Sequence, residues 1–165
     1  MKVSVDFSQN ILPDRYSKYA EVSHGRFALI SFPFQVEDLP EETKTLAWSF
    51  IDMDAIPVCG FPYVHWVVAN APTLSAIPED FSRQDVIHVE GINSQFSPLF
   101  PERDGSIKAC YVGPCPPDRD HAYTLNVYAL DTALDLDHGF YLNEMLHAMK
   151  GHVLAQASLD VIGRV

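Results

Sequence analysis

Tyr63-Val64-His65-Trp66-Val67-Val68-Ala69-Asn70 is the stretch on which the fold turns. A strand points successive side chains to opposite faces, and here both faces are apolar or aromatic. Such a segment is covered on each side and belongs at the centre of a sheet. Ala122-Tyr123-Thr124-Leu125-Asn126-Val127-Tyr128-Ala129-Leu130 reads the same way, and the two together define a core. Working outward, residues 2–7, 26–32, 45–52 and 153–161 alternate with the two-residue period of half-buried strands. Most of the twelve prolines fall between these segments, where a missing donor and a fixed φ are tolerated. The connections are therefore long and stiff.

Helical spacing is scarce. After Asp137 as an N-cap, Leu142, Met145, Leu146 and Met149 recur at intervals of three and four, and Lys150-Gly151 supplies a stop. Residues 82–89 form a second, shorter candidate. With no regular helical crossovers between strands, a parallel α/β sheet is excluded and an antiparallel sandwich is expected. A chain of 165 residues without repeat or linker is read as one domain, 1–165. Residues 91–105 make the longest irregular segment, a candidate functional loop.

Eleven Lys and Arg against 22 Asp and Glu give a formal charge of −11, which repels nucleic-acid phosphates and the anionic face of a membrane. Any phosphate must be caught locally, in a pocket. No apolar run approaches the roughly 20 residues of a membrane helix, so no stable insertion is expected. Met1 to Asn10 lacks the basic start and apolar run of a secretory signal and is read as mature protein. Three cysteines, Cys59, Cys110 and Cys115, are an odd number without CxxC spacing, which fits free thiols in a reducing, cytoplasmic setting.

The sequence carries no GxGxxG, Walker A, GxSxG or HExxH motif, which removes dinucleotide, NTP, α/β-hydrolase and zincin readings. His147 and His152 are five apart across Gly151, the wrong spacing for two metal ligands on one helical face. No metal and no cofactor is expected. What remains is a polar constellation among apolar strands. Leu46, Trp48, Phe50 and Asp52 share one face, so an apolar face ends in a carboxylate. By the same period His65 lies beside Tyr63 and Val67, and His121 and Tyr123 lie above Leu125 and Val127. Ahead of them runs Tyr111-Val112-Gly113-Pro114-Cys115-Pro116-Pro117, a rigid loop fit for a pocket wall. Two imidazoles and a phenol can donate to a small anion, while a carboxylate fixes a histidine tautomer and favours its charged form. Asp54 suits a turn cap as well as a ligand role, and Cys115 reads as a wall residue rather than a nucleophile.

Asp52-Met53-Asp54-Ala55, His65-Trp66-Val67-Val68-Ala69-Asn70, Gly113-Pro114-Cys115-Pro116-Pro117, His121-Ala122-Tyr123 and Val127-Tyr128-Ala129-Leu130-Asp131, in this order, resemble the phosphatidylethanolamine-binding protein (PEBP) family, in its bacterial YbhB/YbcL-like branch. The resemblance runs from about Pro40 through Gly151-His152-Val153-Leu154-Ala155. It implies a mainly β fold, an antiparallel β-sandwich of Greek-key type with one or two short peripheral helices. It also implies a small cavity for phosphate and phospholipid head groups, and in some relatives regulation of kinases. Carried over motif by motif, Asp52, His65, His121 and Tyr123 line that cavity, with Gly113, Cys115 and Pro116 as a wall. Two departures stand out. The family's Asp-Pro-Asp-Ala-Pro reads Asp52-Met53-Asp54-Ala55-Ile56-Pro57 here, and its His-Arg-Tyr reads His121-Ala122-Tyr123. Ala122 points away from the His121–Tyr123 face, so the lost arginine bears on a partner surface rather than on the cavity.

Three functional readings follow. In the first, a non-catalytic module binds phosphate, a phospholipid head group or a phosphorylated ligand and modulates a protein partner such as a kinase. In the second, a hydrolase-type enzyme uses His121 or His65, oriented by Asp52, as general base on a phosphoester or acyl substrate. The third is an interaction protein with an empty cavity. An exposed sandwich edge would support a homodimer.

Overall fold

The computed structural model describes residues 1–101 and 103–165. Its strands are β1 (Lys2–Ser4), β2 (Ser23–His24), β3 (Phe27–Ala28), β4 (Phe34–Glu37), β5 (Thr45–Asp52), β6 (Tyr63–Ala71), β7 (Ala76–Ile77), β8 (Val89–Glu90), β9 (His121–Leu130) and β10 (Val153–Gly163). Two short helices, α1 (Ile56–Cys59) and α2 (Leu142–Ala148), are peripheral to them. Five strands form one antiparallel sheet in the order β10-β9-β5-β6-β8, and β1-β4-β7 form a second. Within the large sheet β5, β6, β8 and β9 lie in the spatial order β9-β5-β6-β8, which is the Greek-key arrangement with β7 as an excursion to the other sheet.

Side-chain size decides which face meets which layer. Leu46, Trp48 and Phe50 of β5, Trp66 and Val68 of β6, and Leu125 and Val127 of β9 pack with Phe34 and Val36 of β4 and Ile77 of β7, so the bulky face fills the space between the sheets. Ala47, Val67 and Ala69 turn to the opposite face, where Phe140, Met145 and Met149 close over them. The small residues of β5 and β6 thus let the α2 layer approach.

Two irregularities break the β5–β6 register. Phe50 pairs with Trp66 but Ile51 pairs with Val64, which leaves His65 as the extra residue of a bulge. A bulge shifts the alternation by one, so Tyr63 and His65 lie on the same side as Trp66 and Val68. This corrects the expectation that His65 shares a face with Val67: Val67 faces the α2 layer, whereas the His65 ring meets Phe50 and Tyr123. The second irregularity lies at Asn70, which has φ 59 and whose side chain exchanges two hydrogen bonds with the Leu134 backbone.

Other expected elements differ in extent. Residues 26–32 do not form a continuous strand; only Phe27–Ala28 pairs, with Ser23–His24. Burial there does not alternate but comes in two adjacent pairs, Phe27–Ala28 and Ser31–Phe32, while the backbone bonds loops, accepting from Gly113 at Ala28 and from Asp80 at Ser31. Residues 82–89 are not a helix. A single 3₁₀ turn, Phe81–Arg83, buries Phe81, and the chain then extends into β8 with Ile87 in solvent. Residues 2–7 pair only as far as Ser4, though Phe7 still packs on the core. The helix start after Asp137 moves to Leu142, because Glu144 Oε2 accepts the Tyr141 backbone N–H at 2.6 Å. Residues 91–105 contain a 3₁₀ turn, Ser94–Phe96, and run into another, Gly105–Ile107.

Candidate functional site

Where β5 ends and β9 begins, a cavity of about 300 Å³ opens between the strands and the Pro-rich loop. Asp52, His65, Cys115, Pro116, His121 and Tyr123 all line it. Gly113 is not among its lining residues. It is buried instead beneath residues 16 and 28, where a Cβ would come within 2.5 Å of the Tyr16 carbonyl oxygen and 2.7 Å of Ala28 Cβ. Its backbone N–H donates to Ala28, so it docks the loop rather than facing a ligand.

The register brings Asp52 of β5 opposite Tyr123 of β9, with His121 at the first position of that strand. His121 Nδ1 lies 2.7 Å from Asp52 Oδ2, and both side chains are at most 5% exposed. Asp52 Oδ1 accepts the Ala55 backbone N–H at 3.0 Å, so the carboxylate both caps the turn into α1 and holds the imidazole. The second ring nitrogen is taken too: His121 Nε2 lies 2.9 Å from Asp118 Oδ1. Burial opposes the charged ring, but hydrogen bonds to Asp52 and Asp118 outweigh it and hold the His121 pKa above the usual value. Carboxylates only accept, so both nitrogens carry protons and His121 is an imidazolium.

His65 is the opposite case. Its backbone oxygen accepts the Val112 N–H at 3.1 Å, and its Nδ1 lies 2.7 Å from the Val112 carbonyl oxygen. A carbonyl only accepts, so Nδ1 carries the proton. Burial pulls its pKa down to about 4, which makes the ring neutral and leaves Nε2 as a bare acceptor. Tyr123 is 1% exposed, and burial followed by the nearby Asp52 raises its hydroxyl well above the ordinary value, so it stays a donor. Tyr63, also raised by burial, donates to Gln95 at 3.1 Å.

Sequence reasoning missed several contributors. Arg26 and Phe27 line the cavity from a segment assigned to an ordinary strand, Cys59 comes from the end of α1 and Phe100 from a loop. Asp118 was missed as well, although its place three residues before His121 was a usable signal. Asp54 does not line the cavity: it accepts from the Ala122 backbone at 3.0 Å and from Arg119 at 3.1 Å, pinning the end of β5 to β9. The backbone bond to Ala122, then Arg119, lowers its pKa. Among the described residues no cluster of His, Cys, Asp or Glu could hold a metal ion, and all three cysteines are free. No helix of the described residues is long and apolar enough to cross a membrane.

A family model for phosphatidylethanolamine-binding proteins matches residues 3–163. The chain belongs to the phosphatidylethanolamine-binding protein family. This PEBP-family chain is 50% identical over 159 residues to the uncharacterized protein YxkA of Bacillus subtilis, covering 93% of this chain and 94% of that one. It is 36% identical over 134 residues to a UPF0098 protein of Chlamydia muridarum, covering 79% of each. Among solved structures, the PEBP homologue CT736 of Chlamydia trachomatis superposes with a TM-score of 0.77 at 29% identity, covering 98% of this chain and 95% of that one. Escherichia coli YbcL superposes at 0.75 with 23% identity, covering 99% and 98%, and carries the fold alone. The mainly β PEBP-like architecture agrees with both, and PEBP membership supports a ligand-binding protein.

Proposed function

We propose that the cavity binds the anionic oxygens of a phosphate-bearing ligand without turning it over. The observation that carries this reading is Asp118: its carboxylate rests on His121 Nε2, so a negatively charged oxygen is already accommodated at that nitrogen. A ligand oxygen arriving there keeps the charge-assisted bond and returns Asp118 to solvent, where its side chain is already 46% exposed. The Tyr123 hydroxyl and the Arg26 guanidinium add a donor and a positive charge on the same cavity. About 300 Å³ suits a phosphate and a few further atoms and is at the small end for ligand sites. A phosphorylated side chain of a protein partner, such as a kinase, presents the same chemistry.

The Asp52–His121 pair invites the general-base reading. A base needs a nitrogen lone pair, and an imidazolium between two carboxylates has none. His65 keeps a lone pair on Nε2, but the Val112 peptide rather than Asp52 orients it and a pKa of about 4 makes it a weak base, so the binding reading is preferred. Amide NMR spectra during titration with phosphate and with phosphoethanolamine test it, in wild type and His121→Ala. Shifts confined to the surroundings of Asp52, His65, Cys115 and Tyr123, and lost in the variant, are expected. No shifts at 10 mM of either compound would sink it.

A further inference from the structure

We propose that His65 reads a proton on the ligand, so that the cavity selects an oxyanion keeping one P–OH, the monoprotonated form of a phosphomonoester, over oxyanions that carry none. This inference rests on the anion reading above and narrows its ligand class. Its basis is geometric. The Val112 peptide holds His65 from two sides, through the ring Nδ1 at 2.7 Å and the backbone oxygen at 3.1 Å. The bulge leaves the ring no freedom to turn its other nitrogen away. Nε2 makes no hydrogen bond within the described protein, and His65 lines the cavity while only 4% exposed. The cavity therefore presents an unpaired acceptor beside its donors.

An oxyanion without a proton brings only lone pairs to that position, and lone pair would face lone pair. One with a single O–H satisfies Nε2 through the proton and the donors through its charged oxygens. A site built to bond a ligand hydroxyl rejects the analogue lacking it far more strongly than an apolar contact could. Protonating His65 instead would have to take place on a buried ring whose pKa lies near 4. In either arrangement the complex holds one proton more than a fully deprotonated ligand and the free protein.

The other groups facing His65 set the background. Asp52 of β5 has each oxygen in a bond, to Ala55 and to His121. From β9, His121 has a pKa raised against burial by its bonds to Asp52 and Asp118, and Tyr123 is held protonated, as is Tyr63 of β6. Arg26, Cys59 and Cys115 complete the ionisable lining. Loss of the His121 charge would weaken every anion alike, whereas loss of the ligand's own proton weakens only the monoester, so the comparison with sulfate and dimethyl phosphate separates the two. A phosphomonoester loses that proton near about pH 6.

The test is calorimetric titration of the wild-type protein at pH 5.5, 6.5 and 7.5 with methyl phosphate, inorganic phosphate, sulfate, dimethyl phosphate and glycerophosphoethanolamine. Methyl phosphate should bind at pH 5.5 at least tenfold more tightly than sulfate or dimethyl phosphate. Its affinity should fall as the pH rises, approaching tenfold per unit above the ligand's second pKa, with one proton taken up per complex. His65→Gln, checked for folding by its amide spectrum, offers an N–H at this position and should bring sulfate to parity with methyl phosphate. Equal affinities in the wild type, affinity rising with pH, or tight binding of glycerophosphoethanolamine, a diester whose donor is an ammonium, would each overturn the inference and leave the anion reading intact. Absence of binding by all five would overturn both.

Discussion

At His121 two carboxylates share one imidazolium, and they differ in how firmly they are held. Asp52 is buried and tied to Ala55, whereas Asp118 sits on the loop after three prolines with its side chain half in solvent. The bond to His121 lowers the Asp118 pKa, so it is ionised at neutral pH and competes with any arriving anion. Asp118→Ala should raise phosphate affinity on the order of threefold to tenfold, the scale of one exposed charge pair, and titration calorimetry reads the change. An unchanged or weaker affinity would show that Asp118 is not what the anion displaces. His65 gives a stability prediction with a definite sign. Its folded pKa of about 4 lies below the usual value of a free histidine, so its contribution is complete above about pH 6.5 and is lost as the unfolded chain takes up the proton first. Between pH 7.5 and 5.0 this costs about 2 kcal/mol. His121 and His88 have raised pKa values, so their contributions grow as the pH falls toward 6.5 and are complete below it, with the opposite sign, and subtracting the His65→Gln change removes them. Urea melts at the two pH values should show the loss in wild type and not in His65→Gln.

The elements show where sequence patterning stops being informative. Residues 121–130 keep strict alternation, His121, Tyr123, Leu125, Val127 and Ala129 all buried, so this half of the site was legible from the period alone. Residues 45–52 behaved likewise as far as Asp52. In β6 the period breaks at His65, and nothing in a run apolar on both faces marks which residue will bulge. Its partner Val112, 47 residues away, fixes the ring, and such a contact has no local signature. Residues 26–32 mislead for a related reason: their burial comes in two adjacent pairs, Phe27–Ala28 and Ser31–Phe32, set by the distant loops that bond them rather than by a neighbouring strand. Gly163 shows the same dependence on distant contacts. It pairs with His121, and a Cβ there would fall 2.6 Å from the Tyr123 ring and 2.9 Å from Pro114 Cβ. Gly163→Ala should therefore push Tyr123 into the cavity, costing about 1–3 kcal/mol by overpacking and weakening phosphate binding at least tenfold. A chemical melt and a titration on the same sample check both. Met145 is the control on the opposite face. It is fully buried under β5 and β6, so Met145→Ala should cost about 2–5 kcal/mol while leaving phosphate affinity of the folded protein unchanged.

At the scale of the whole molecule, the cavity proposed to bind anions sits in a chain whose formal charge is −11. The two are compatible because the proposed attraction is local and desolvated while the repulsion is spread over a screened surface. Five of the eleven basic residues, Lys2, Arg15, Arg83, Arg119 and Arg164, are already in ion pairs with carboxylates, which leaves few cations for a broad surface. Docking on an anionic bilayer gains about 1 kcal/mol for each basic residue near the surface, and among the described residues no unpaired polybasic segment supplies it. On the proposed anion reading, the ligand is expected as a free molecule or on a partner protein rather than in the plane of a membrane. Sedimentation with vesicles rich in anionic lipid at low salt, where attraction would be strongest, should leave the protein in the supernatant. A pellet that dissolves on adding salt would mean that Arg26 at the cavity and the other unpaired cations outweigh the global charge, and the ligand would then be sought at the bilayer surface.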